Sequence, residues 1–122
     1  LDSGPEFLAG STRMTAGTAQ KIALNLFSTQ LMTALGRVHD GLMVNVVASN
    51  AKLVERGRNM VQTITGCSAH AAKAAHDEAG HDVKLAVLLI DGLSLTEARQ
   101  CLAAARGNLR IASHIEPEPI QP

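Results

Sequence analysis

Glycines at positions 66, 80, 92 and 107 cut the second half of the chain into runs of little more than ten residues, and this spacing limits the fold more than any other feature. Ser68, Asp82 and Ser94 stand at the start of those runs. A Ser or Asp side chain in that place accepts a bond from a free N–H of the first helical turn. Glycine takes the left-handed conformation that ends a helix. Ser94-Leu95-Thr96-Glu97 has the reciprocal pattern in which each end of the first turn satisfies the other. These signals predict three short helices, stopped at Gly80, Gly92 and Gly107, that form a small three-helix unit.

Composition points the same way. Aromatic residues make up 2% of the chain, with no Trp and no Tyr, so the core is built from Leu, Val, Ile, Met and alanine. Small residues of good helix propensity suit close helix packing, and the expected fold class is all-α. Eleven basic residues balance eleven acidic ones. That balance lacks the basic excess of a nucleic-acid-binding domain. No apolar run reaches the roughly 18 residues of a membrane span, so no membrane partner is expected. Asp2 and Glu6 stand where a signal peptide would carry positive charge, and the expected location is cytoplasmic. Cys67 and Cys101 are too few and too far apart for a disulfide framework or a metal site, and both are expected to be reduced and buried.

Upstream, Ile22, Leu26, Leu31, Met32 and Leu35 recur at helical spacing from Thr18 to Leu35, and Leu24 and Phe27 widen the stripe. The pattern predicts a helix covered on more than one side and stopped at Gly36. Leu42, Val44 and Val46 alternate with other residues, as in a short extended segment, but no partner strand is evident. Asn50 reads as the cap of a helix that runs to about Ile64, with Leu53, Met60, Val61 and Ile64 on its apolar face. The end of the chain, IEPEPIQP, holds three of the four prolines and is expected to be disordered.

The residues best suited to bind something lie early, in GSTRMTAGT, residues 10–18. A helix N-terminus offers unpaired N–H groups and a partial positive charge. Ser11 and Thr12 add hydroxyls, Arg13 adds a two-pronged phosphate grip, and Lys21 follows. Such a set can cradle an anion. It can equally be a capped loop whose hydroxyls are satisfied internally and whose arginine pairs with Glu6 or solvent. His70, His76 and His81 cluster loosely, but positions 76 and 81 do not share a helical face cleanly. They read as exposed histidines, and no metal site is expected.

The segment GPEFLAGSTRMTAGTAQKIALN, residues 4–25, resembles the signature shared by N-acetylmuramic acid 6-phosphate etherases and the glucokinase regulatory protein, of the sugar-isomerase (SIS) phosphosugar-binding superfamily. Gly4-Pro5-Glu6, Gly10 to Arg13, Gly17-Thr18, Lys21 and Leu24-Asn25 all match its pattern. LGRVHDGLMVNVVASNAKL is similar to the next etherase segment, and residues 65–110 are similar to the small UBA-like helical domain of the etherases. Thr15 stands where the family usually has Lys, His39-Asp40-Gly41 where it has Tyr-Gly-Asn, and Asn45 where it has Asp. These departures put the choice of phosphosugar in doubt.

The resemblance implies a division into residues 1–48, the remnant of an SIS domain with its signature loop and long helix, 49–113, a UBA-like helical domain, and a tail at 114–122. It implies the C-terminal portion of a longer lyase that cleaves the D-lactyl ether of a cell-wall amino sugar and needs no metal or organic cofactor. Ser11, Thr12, Arg13 and Lys21 are the expected phosphate-binding residues. The catalytic glutamates of the family have no counterpart here, Glu6 is expected to be structural, and this chain alone is expected to be inactive and to bind sugar phosphate weakly or not at all. A phosphosugar-binding regulator and an independent helical interaction module are the alternative readings. The apolar helix from Thr18 implies a homo-oligomer under all of them.

Overall fold

Asn50 adopts extended backbone and its side chain accepts from the N–H of Leu53 at 3.0 Å, which fixes the start of a helix as the sequence predicts. This and the structure below come from a computed structural model that describes residues 1–117. Its elements are α1 (Ala16–Ala34), β1 (Val38–His39), β2 (Leu42–Met43), α2 (Ala51–Thr65), α3 (Ala69–Glu78), α4 (Val83–Ile90), α5 (Leu95–Ala104) and α6 (Leu109–Ala112). The chain is mostly helical, in agreement with the all-α expectation.

Each predicted cap is made. Ser68 accepts from Ala71, Asp82 from Lys84 and Leu85, and Ser94 exchanges bonds with Glu97 in a full capping box. Asn108 caps the single turn of α6, an element the sequence reading does not contain. Helices α3 and α5 also end alike. After α3, the N–H of His81 bonds the carbonyl of His76 and that of Gly80 bonds Asp77. After α5, Gly107 and Arg106 bond Leu102 and Ala103 in the same way. This paired pattern closes a helix through left-handed backbone and turns the chain back sharply.

Packing separates two compact units, residues 1–34 and the chain from Leu35 onward. The expected boundary lay after residue 48, but Val44 is buried in the core of the second unit, with Leu42 and Val46 packed against it. That core also takes Met60 and Val61 from α2, Ala72 and Ala75 from α3, Val83, Ala86, Val87 and Leu88 from α4, Ala98 and Cys101 from α5, and Leu109 and Ala112 from α6. The extended segment does have a partner. Val38 pairs with Met43 and His39 with Leu42 in a tight hairpin whose turn residues, Asp40 and Gly41, both have positive φ. Asp-Gly is the sequence signal for that turn.

Other expectations need correction. None of the residues of α1 is buried, although the apolar stripe predicts a covered helix. Cys101 is buried but Cys67 is only half-buried, and both are free thiols. Within the expected tail, Ile115 packs against the core, and its carbonyl accepts from the Cys101 thiol at 3.6 Å. Residues 118–122 lie outside the described residues. Among the described residues, no helix is long and apolar enough to cross a membrane.

Candidate functional site

The turn that leads into α1 is held by Glu6. Its carboxylate accepts the N–H of Thr15 at 3.1 Å and that of Ala16 at 3.0 Å, so it occupies donors that the start of a helix leaves free. Bonds from Ala16 first and Thr15 second hold the Glu6 carboxyl below the usual glutamate range. The role is structural, as the sequence reading has it, and it is a cap: among the described residues Glu6 makes no ion pair with Arg13. Within the turn, the N–H of Gly17 donates to the carbonyl of Thr12 at 3.0 Å. A Cβ on Gly17 would stand 3.3 Å from that oxygen, so the glycine lets the chain close. Gly10, with φ of 82°, supplies left-handed backbone just before Ser11.

Of the four expected phosphate ligands, Ser11 is half-buried, while Thr12, Arg13 and Lys21 are exposed. Thr12 and Arg13 lie in the turn, Ser11 stands just before it, and Lys21 follows about one and a half helical turns into α1. Among the described residues, neither Arg13 nor Lys21 forms an ion pair. Thr15, at the position where the resemblance expects lysine, keeps its hydroxyl oxygen out of water with no hydrogen-bond partner. The carboxylates of residues 1–34 are Asp2 and Glu6. Asp2 accepts from the N–H of Gly4 at 3.2 Å and Glu6 is the helix cap, so both carboxylates of this unit are engaged with backbone N–H groups.

The other departures from the signature lie in the second unit and have local explanations. Asn45 Oδ1 accepts from Lys84 Nζ at 3.1 Å, and Lys84 also donates to the carbonyl of Gly107 at 3.0 Å. Asp40 forms an ion pair with Arg110, which ties the hairpin turn to α6. Positions 40 and 45 therefore make contacts within the helical unit.

The histidines differ from expectation. His70 is exposed, but His76 is completely buried on the inner side of α3. His81, with φ of 69°, is turned back by the end of α3 so that its ring centroid lies 5.1 Å from that of His76. Helical spacing does not apply across Gly80, which ends α3 before His81. That glycine is the signal that would have joined the two rings. Asp77 sits beside them, bonded to Arg58 at 2.8 Å and Lys73 at 2.7 Å, and these cations hold its carboxyl at a pKa of about 2.

Known proteins align with most of the chain. No family model matches it. It is 52% identical over 111 residues to an N-acetylmuramic acid 6-phosphate etherase of Deinococcus radiodurans, a match that covers 90% of this chain and 36% of the relative. It is 48% identical over 110 residues to an etherase of the same name from Rhizobium rhizogenes, covering 89% of this chain and 36% of that protein. For the protein of that name from Pseudothermotoga lettingae the identity is 46% over 116 residues, covering 93% and 38%. The chain thus spans little more than a third of the length of the curated relatives it matches.

Proposed function

We propose a role in phosphosugar elimination for this chain, which over nine-tenths of its length belongs with the N-acetylmuramic acid 6-phosphate etherases. It is part of a lyase that cleaves the D-lactyl ether of N-acetylmuramic acid 6-phosphate. The observation that carries this reading is the turn Gly10–Arg13, fixed by Glu6 at the head of α1 and open to solvent at Thr12 and Arg13, in a sequence 52% identical to one such enzyme.

In that role, Ser11, Thr12 and Arg13 hold the 6-phosphate, with Lys21 adding charge from the second turn of α1. The grip fixes the sugar while a base removes the proton at C2 and lactate leaves, after which water adds to the unsaturated product. The base needs a raised pKa. Glu6 has a lowered one and both its oxygens are engaged, so it does not fill that place. On this reading Glu6 anchors the phosphate turn and is not the base, and the chain alone releases no lactate. The exposed apolar residues of α1 support self-association.

A chimera tests the reading. The matched 111 residues of the Deinococcus radiodurans protein are replaced by those of this chain, and D-lactate release from N-acetylmuramic acid 6-phosphate is measured. The chimera is expected to be active, and its R13A variant to show a raised KM. The 122-residue chain alone is expected to be inactive. An inactive, folded chimera, or a chimera indifferent to R13A, would overturn the assignment.

A further inference from the structure

His76 is fully buried, yet neither of its ring nitrogens has a hydrogen-bond partner. His81 Nδ1 is out of water and unpartnered as well. Buried polar atoms are bonded in the great majority of cases, and two orphaned imidazoles side by side call for a physical reason. Asp77 is the third member of the group, with Oδ1 3.8 Å from His81 Nδ1. One donor atom from each of His76, Asp77 and His81 lies within 4.8 Å of the other two.

We propose that His76, Asp77 and His81 form a binding site for a divalent transition-metal ion of zinc's kind, with water completing the coordination. Two imidazole nitrogens and a carboxylate oxygen are a donor set that zinc favours, at about 2.0–2.2 Å from the ion. Donors at those lengths around a tetrahedral ion stand about 3.4 Å apart, so the three close in by an ångström or so. The freedom for that is on the outer side. His81 and Asp77 have side chains 42% and 36% exposed, and they give the ion and its water a way in, while His76 forms the inner wall. Burial also keeps the His76 imidazole neutral, the form that binds metal.

Competition for Asp77 sets the strength of the site. Arg58 bonds Oδ1 and Lys73 bonds Oδ2. Lys73, with its side chain 58% exposed, swings into water when the ion arrives. Removing Lys73 therefore strengthens the site, which a purely structural histidine pair would not do. The proposal concerns the helical unit alone and stands or falls apart from the phosphosugar reading.

Zinc and cobalt(II) chlorides are titrated into the 122-residue chain against a chelating indicator, alongside H81G and K73M. Glycine at 81 suits the φ of 69° and keeps the turn while removing one ligand. The chain is expected to bind one ion, to give the visible absorption of tetrahedral cobalt, and to melt at a higher temperature with zinc present. In H81G, confirmed as folded by circular dichroism, all three signals are lost; in K73M binding tightens severalfold. No zinc binding by the parent chain, equal binding by H81G, or unchanged binding by K73M each overturns the proposal.

Discussion

The ring of His76 lies so close to Gly57 that a Cβ on residue 57 would stand 2.4 Å from Nε2 and 2.8 Å from Cε1. The contact joins α3 to α2, and Gly57 is buried in the middle of α2. Glycine inside a helix costs about 1 kcal/mol relative to alanine, so G57A would stabilise an open site. Here the ring has no room to retreat, and overpacking costs about 1–3 kcal/mol. G57A is expected to lower the midpoint of urea denaturation. The double variant G57A/H76A is expected to recover much of the loss, because the two residues share one contact.

Burial of His76 also sets a pH dependence. Desolvation first, then the proximity of His81 and Arg58, lower its pKa from the ordinary 6.5; Asp77 and Asp82 oppose the shift. The unfolded chain therefore takes up a proton that the folded chain resists. The contribution of this group to stability is complete above pH 6.5 and is lost as pH falls from there through the folded-state value. Thermal melts in a metal-free buffer are expected to fall across that window, and H76L is expected to flatten the fall.

Glu6 adds a pH dependence of the same sign at lower pH. Its lowered pKa means that the carboxylate form holds Thr15 and Ala16, so the cap is present above the ordinary glutamate range and lost as pH falls below it. Glu6→Ala is expected to speed hydrogen exchange at the amides of Thr15 and Ala16, with little change at α2 to α5. In the active chimera the same change is expected to raise KM for the phosphosugar more than it lowers kcat, because the turn loses its anchor.

How far all this can be read from sequence depends on the range of the interactions. Asn50, Ser68, Asp82 and Ser94 mark the starts of α2 to α5 because a cap acts within three residues. The loop before α1 is legible from Gly4, Pro5, Gly10 and Gly17. The anchor of that loop is not, since Glu6 reaches nine and ten residues along the chain to bond Thr15 and Ala16, and no periodicity marks such a closure. α6 escapes notice because a helix of four residues shows no period. The hairpin was within reach: Asp40-Gly41 carries the turn signal, but the strands on either side have two residues each. The proximity of His76 and His81 is not legible from helical spacing, because α3 ends before His81 and the chain turns back at Gly80.

Lys84 is 8% exposed, and its ammonium meets two neutral oxygens, Asn45 Oδ1 and the Gly107 carbonyl. Among the described residues it has no carboxylate partner. A buried charge is stabilised more by an ionised acceptor than by a neutral one. N45D, which restores the residue that the resemblance expects, is expected to raise stability by about 1 kcal/mol and to do so less in high salt. K84A is expected to cost about 1–3 kcal/mol because the Gly107 carbonyl is left without its donor. Urea titrations at low and high ionic strength separate the two effects; a destabilised N45D would show that the neutral amide is the better partner.

The exposed apolar residues of α1 carry the last expectation. Leu24 and Phe27 are 68% and 66% exposed, and Ile22 and Leu26 are more than half exposed as well. Burial of a Leu or Phe side chain is worth about 1.5–3 kcal/mol, so a second copy of α1 laid against these residues repays the entropy of association. The chain is expected to scatter light as a dimer or larger at micromolar concentration. L24K/F27K removes two apolar anchors and adds like charges that repel across the contact. About 1.4 kcal/mol corresponds to a tenfold change, so the double change is expected to weaken association about a hundredfold or more and to leave a monomer. A monomeric parent chain under the same conditions would mean that α1 stays exposed in solution, and the self-association reading would fall.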